Sequence, residues 1–120
     1  MPSSAASPLR VSRTDDGRVV RLMLSGELDI STATCLELEL QAAESRHPPV
    51  LVLDLSQLHF MGVSGLRSIL AAARRARREG RHFVVTNPVP HISRLFELTA
   101  IDQSLEVLQD PPLRLAGAPV

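Results

Sequence analysis

The run Val50-Leu51-Val52-Leu53-Asp54-Leu55 constrains this chain more than any other stretch. It has the length of a strand and reads as one covered on both faces, the pattern of a strand inside an α/β sheet. Elsewhere too, no apolar run approaches the roughly 20 residues needed to cross a bilayer as a helix. The segments around this run must therefore supply both its neighbouring strands and the helices that cover it.

They alternate accordingly. Leu9 to Ser12 reads as a short first strand, and Thr14-Asp15-Asp16-Gly17 as a turn leading into a strand from Arg18 to Ser25. After Gly26, either Asp29 or Ser31 offers a helix cap, and Ala33, Leu36, Leu40 and Ala43 recur at helical spacing. His47-Pro48-Pro49 stops that helix. Past the central strand, a turn from His59 to Ser64 leads into a second helix with Leu66, Ile69, Leu70 and Ala73 on one face. Arg67, Arg74, Arg75, Arg77 and Arg78 lie on its outer face, and Glu79-Gly80 supplies its stop. Arg81 to Thr86 is a third core strand. A short helix holds Ile92, Leu95 and Phe96, and Leu105 to Leu108 is the last strand. The expected fold is a single α/β domain over residues 9–110, with a mixed, mainly parallel sheet, an antiparallel N-terminal hairpin and three to four helices. Residues 1–8 are read as a disordered arm and 111–120 as a Pro-rich tail.

Composition narrows the chemistry. There are three Phe and neither Trp nor Tyr, so the core is Leu, Val, Ile and Ala, and no aromatic platform is available for stacking bases. All thirteen basic residues are Arg, which removes a phosphate-loop or Schiff-base lysine. Formal net charge is zero, so no global field draws the chain to nucleic acid or to an anionic membrane. A single Cys35 excludes an internal disulfide and fits a reducing cytoplasm.

Nor does a catalytic set emerge. His47, His59, His82 and His91 show no metal-ligand spacing, and no cofactor is expected. Asp54 ends the apolar part of its strand, where α/β proteins place ligand groups, but it lacks a nucleophile or second carboxylate. Its expected role is to accept backbone N–H bonds from the residues that follow. The arginine run from Arg74 to Arg81 reads as a solvated helix face with a docking edge. The acidic Glu37, Glu39 and Glu44 of the first helix give a charge asymmetry that could orient a protein partner.

Four segments together resemble the STAS family, in its anti-sigma factor antagonist form. They are Leu24-Ser25-Gly26-Glu27-Leu28-Asp29, Leu51-Val52-Leu53-Asp54-Leu55-Ser56, Phe60-Met61-Gly62-Val63-Ser64-Gly65-Leu66, and Asn87-Pro88 followed by Arg94-Leu95-Phe96-Glu97-Leu98-Thr99. The resemblance implies a non-catalytic module that binds an anti-sigma factor with a kinase-type ATPase fold and so frees a sigma factor. In that family one serine, in a pattern Asp-Ser-Ser/Thr-Gly-Leu, is phosphorylated to break the complex. Here Gly62 stands for the Asp, Val63 for the acceptor and Ser64 for the second hydroxyl, while Gly65-Leu66 match. Valine cannot accept phosphate, and Ser64 would point about 100° away on a helix. The contact surface is expected over Gly26 to Ser31 and His59 to Arg67, the strand-to-helix connections at one end of the sheet, with Asp29, His59, Met61, Gly62, Val63, Ser64, Gly65 and Arg67 as contact residues. Neither direct nucleic-acid binding nor membrane insertion is expected, and Cys35 and Leu38 leave room for a homodimer. The competing readings are an accessory STAS subunit of a membrane transporter ATPase and a nucleotide or small-ligand sensor.

Overall fold

The computed structural model describes residues 8–98 and 106–109. The expected arm (but for Pro8), Leu105 and the Pro-rich tail lie outside the described residues. In chain order the elements are β1 (Arg10–Asp15), β2 (Val19–Leu28), α1 (Ala33–Glu44), β3 (Val50–Met61), α2 (Val63–Glu79), β4 (His82–Thr86), α3 (Pro90–Leu98) and β5 (Glu106–Leu108). The strands lie in the order β1-β2-β3-β4-β5, with β1 antiparallel to β2 and the rest parallel. This is the expected mixed sheet with its N-terminal hairpin, and three helices lie among the described residues.

Local chemistry explains the boundaries. The Asp16 carboxylate accepts the Arg18 and Val19 amides at 2.9 and 2.8 Å, closing the hairpin around Gly17 at φ +92°. Helix α1 stops where Ser45 donates its hydroxyl to the Ala42 carbonyl and His47 turns to φ +52° before Pro48. Helix α2 stops at Gly80, whose left-handed φ of +71° lets the Arg81 amide reach back to the Ala76 carbonyl at 2.9 Å.

One face of the sheet carries the main core. Val20, Leu22 and Leu24 of β2, Leu51, Leu53 and Leu55 of β3, and Phe83 and Val85 of β4 are buried. Leu36, Leu40 and Ala43 of α1 and Ile69, Ala72, Ala73 and Ala76 of α2 join them in one cluster. The two helices lie side by side over that face. Arg75 clamps the Glu44 carboxylate with Nε at 3.0 Å and Nη2 at 3.0 Å, and Ser68 donates its hydroxyl to Glu37 at 2.9 Å. The expected outward position of Arg75 is thus corrected, because it sits on the flank of α2 that meets α1.

The opposite face of β3 is also closed. Val52 and Asp54 are buried there, and Asp54 accepts the Ser56 amide at 2.9 Å with the Arg21 guanidinium 3.6 Å away. This is the backbone-bonding role expected of Asp54, in a strand rather than a loop. The longest correction concerns β3 itself, which continues through His59, Phe60 and Met61 where a turn was expected. Its pairing with β2 slips between Met23 and Ser25 and again between Gly26 and Glu27, each slip adding a residue on β3.

Candidate recognition surface

The C-terminal ends of β2 and β3 lie together, and both strands hand over to helices there. The Leu28 carbonyl accepts the Gly62 amide at 2.8 Å, which ties the two strand-to-helix turns to each other. In the first turn Thr32 does most of the bonding. Its hydroxyl donates to the Glu27 carbonyl at 3.0 Å and accepts the Asp29 amide at 2.9 Å. The Asp29 carboxylate in turn accepts the Ser31 amide at 3.0 Å and the Ser31 hydroxyl at 2.8 Å. Neither Asp29 nor Ser31 is the helix cap. Thr32 holds that position without a side-chain cap bond, since its hydroxyl is turned to the Glu27 carbonyl and the Asp29 amide.

These bonds favour the ionised Asp29 carboxyl. The Ser31 hydroxyl first, then the Ser31 amide and the Thr32 hydroxyl, hold it below the ordinary aspartate value. A carboxyl whose folded value is depressed stabilises the fold above its unfolded value, near 3.9, and that contribution is lost as pH falls through the folded value. The Ser31 amide resonance is therefore expected to titrate with a midpoint below that of an ordinary aspartate. A midpoint at or above the ordinary value would show that the turn is not held this way.

In the second turn Gly62 precedes α2 in extended backbone, φ −94°, so glycine is not required there by conformation. A side chain at Gly62 would begin in ordinary contact with the Phe60 ring, 3.6 Å away. Gly65 is different. A Cβ there would lie 2.4 Å from Leu28 Cγ and 2.5 Å from its Cδ2. Only glycine lets the first turn of α2 sit this close to β2.

The expected contact residues divide between surface and support. Val63 is 64% exposed in the first turn of α2, and Arg67 and His59 are also exposed. Ser64 lines an open groove between α1 and α2, with Ile30, Glu37 and Arg67 on its walls. Met61 and Gly65 are buried, contrary to their expected place on the surface: Met61 points into the core, and Gly65 packs on Leu28. They hold the surface in shape from beneath. His59 is fixed through its backbone, where its carbonyl accepts a bond from His91 Nε2 of α3 at 2.8 Å.

Two more residues complete the patch. Ile30 is 82% exposed and Phe60 is 46% exposed, both at the same sheet end as Val63. Exposed apolar side chains gathered within a polar rim make this end of the sheet the candidate contact surface. The sequence signal was present in Phe60, one of only three aromatics, but its exposure depends on the strand irregularity beneath it. Among the described residues no group of three or more His, Cys, Asp or Glu side chains could hold a metal ion.

Fold and site define a small α/β domain whose two strand-to-helix turns form one surface at the end of the sheet. The chain belongs to the STAS domain family: residues 11–110 match the family described as Mlab, STAS domain. It is 32% identical over 82 residues to the anti-sigma-F factor antagonist RsfB of Mycobacterium tuberculosis, covering 68% of this chain and 67% of that protein. It is 31% identical over 84 residues to an anti-sigma F factor antagonist of Paenibacillus polymyxa, covering 69% and 72%. The crystal structure of an anti-sigma factor antagonist from Mycobacterium paratuberculosis superposes with a TM-score of 0.79, at 29% identity over 97% of this chain and 95% of that one. A STAS domain protein of Planctomyces limnophilus shares the fold at a TM-score of 0.73 and 15% identity, covering 88% and 95%.

Proposed function

We propose that this chain is an anti-sigma factor antagonist that works by stoichiometric binding, without turnover, inside the cell. Its partner is an anti-sigma factor of the kinase-type ATPase fold, and capture of that partner releases a sigma factor to the transcription machinery. The observation that carries this reading is Val63, exposed at the start of α2 beside Phe60 and Ile30. An apolar side chain there rewards burial under a partner, at about 25 cal/mol for each Å² removed from water. The relatives named as anti-sigma factor antagonists support the same reading and favour it over a transporter subunit or a nucleotide sensor.

The same residue sets the regulation. Val63 stands where a phosphorylated serine would add roughly −1.5 to −2 charges and repel the partner. Valine offers no hydroxyl, and the neighbouring Ser64 faces the groove that Glu37 lines, where a second anion is opposed by charge. The antagonist therefore stays in its binding form when its partner's kinase is active. Titration of the chain against purified kinase-fold anti-sigma factors of the same genome, followed by labelled ATP, tests this. The expected result is a one-to-one complex that persists with ATP and leaves the antagonist unlabelled. Label on Ser64 with loss of the complex would overturn the locked form, and no complex with any of them would overturn the antagonist reading.

A further inference from the structure

The arginines of α2 fall into two groups that the sequence does not separate. Arg75 is bonded to Glu44, and the buried Arg81 just beyond the helix is paired with Glu79. Arg67, Arg74, Arg77 and Arg78 are exposed and make no ion pair with any described residue. Helical geometry puts Val63, Arg67, Arg74 and Arg78 within an arc of about 60°, as one row roughly 22 Å long. The row starts at the apolar patch and runs away from it along the solvent face. Arg77 and Arg78 lie in the last turn, where they also complement the helix dipole, but Arg67 and Arg74 lie outside it. Three guanidinium groups in line, none ion-paired with a described residue, make a local positive field on a chain of zero net charge.

We propose that this row is a second part of the docking surface, and that it fits an acidic strip on the partner protein next to the pocket that takes Val63. The proposal rests on the antagonist reading and adds what the partner must look like. Charge complementarity argues for the acidic strip, and continuity with the Val63 patch argues for a protein. The exposed apolar side chains at the head of the row suit a protein core contact and not a phosphate backbone. Guanidinium groups at an interface rim chiefly raise the association rate and set register, so the row would determine which anti-sigma factor is captured quickly.

The test uses the full chain, a purified kinase-fold anti-sigma factor from the same genome, and a 20-base-pair DNA duplex as separate probes. Compared with the wild type are Arg74→Glu/Arg78→Glu, Arg74→Lys/Arg78→Lys, and Arg10→Glu/Arg13→Glu. The last pair changes net charge equally on the exposed β1 edge. Circular dichroism checks that each variant is folded. The expected result is an association rate about tenfold lower for the α2 glutamate pair at low salt, with a shallower salt dependence. The lysine pair and the β1 pair should stay near the wild type. Equal rates for all variants, while Val63→Asp still abolishes binding, would overturn the arginine row and leave the antagonist reading intact. Tight duplex binding lost only in the α2 glutamate pair, with anti-sigma binding unchanged, would make the row a nucleic-acid surface and overturn the proposal. Failure of the wild type to bind any anti-sigma factor would remove both readings together.

Discussion

Val63→Asp is expected to weaken binding to the anti-sigma factor by at least about a hundredfold, a loss of about 2.7 kcal/mol, without harming the fold. The two halves of that expectation have separate causes. At an interface, an aspartate replaces an apolar contact with a charge that must be stripped of water. In the free protein the same aspartate is exposed and lies in the first turn of α2, where negative charge is favoured by about 0.3–1 kcal/mol. No acidic residue occupies that turn in the wild type. The thermal midpoint should therefore hold or rise slightly while binding disappears. A variant that binds normally, or one that loses binding only because it unfolds, would remove Val63 from the centre of the surface.

Gly65→Ala should do the opposite and damage the fold at its most crowded contact. The methyl would meet Leu28, itself fully buried, at 2.4 Å, and Met61 Cγ at 3.3 Å. Alanine ordinarily gains about 1 kcal/mol over glycine inside a helix. Overpacking of this kind costs about 1–3 kcal/mol, and more where neighbours cannot move. With β2 and α2 both fixed by the Gly62 to Leu28 hydrogen bond, the crowding should win. Thermal unfolding should show a drop of several degrees, since about 1 kcal/mol corresponds to roughly 4–8 °C in a domain of this size. Combining it with Leu28→Ala should be less damaging than the sum of the two single changes, because the smaller side chain makes the room that the methyl needs. Strict additivity would show that the two residues do not compete for one space.

Both expectations concern a turn whose importance, but not its construction, was legible in the chain. The segment from Phe60 to Leu66 is one of the four that together carry the family resemblance. What misled was the step from pattern to face. Buried residues in β3 follow one another as Leu55, Leu58 and Met61, a spacing of three that an ordinary strand does not show. The two register slips against β2 produce it, since each extra residue reverses which side of the sheet the next side chain takes. A strand with such irregularities looks like a turn when read as a string. The same slips leave Phe60 in solvent.

What the sequence determined by itself was the architecture. Periods of two and of 3.6 are set by backbone geometry over a few residues, so the hairpin, the apolar central strand and the stripe Ala33, Leu36, Leu40 and Ala43 could be read locally, and all four of that stripe are buried. The tertiary structure alone decided which members of an arginine-rich helix are bound inside the molecule and which are free to meet a partner. Arg75 differs from Arg74 only in facing Glu44, 31 residues earlier in the chain, and that neighbour exists only once two helices lie side by side. It also decided that Gly65 is a packing residue, because the atoms that forbid a side chain there belong to Leu28 on another strand. Periodicity reports the short range. Contacts between distant segments have no signature in one sequence until folding brings them within a few ångströms.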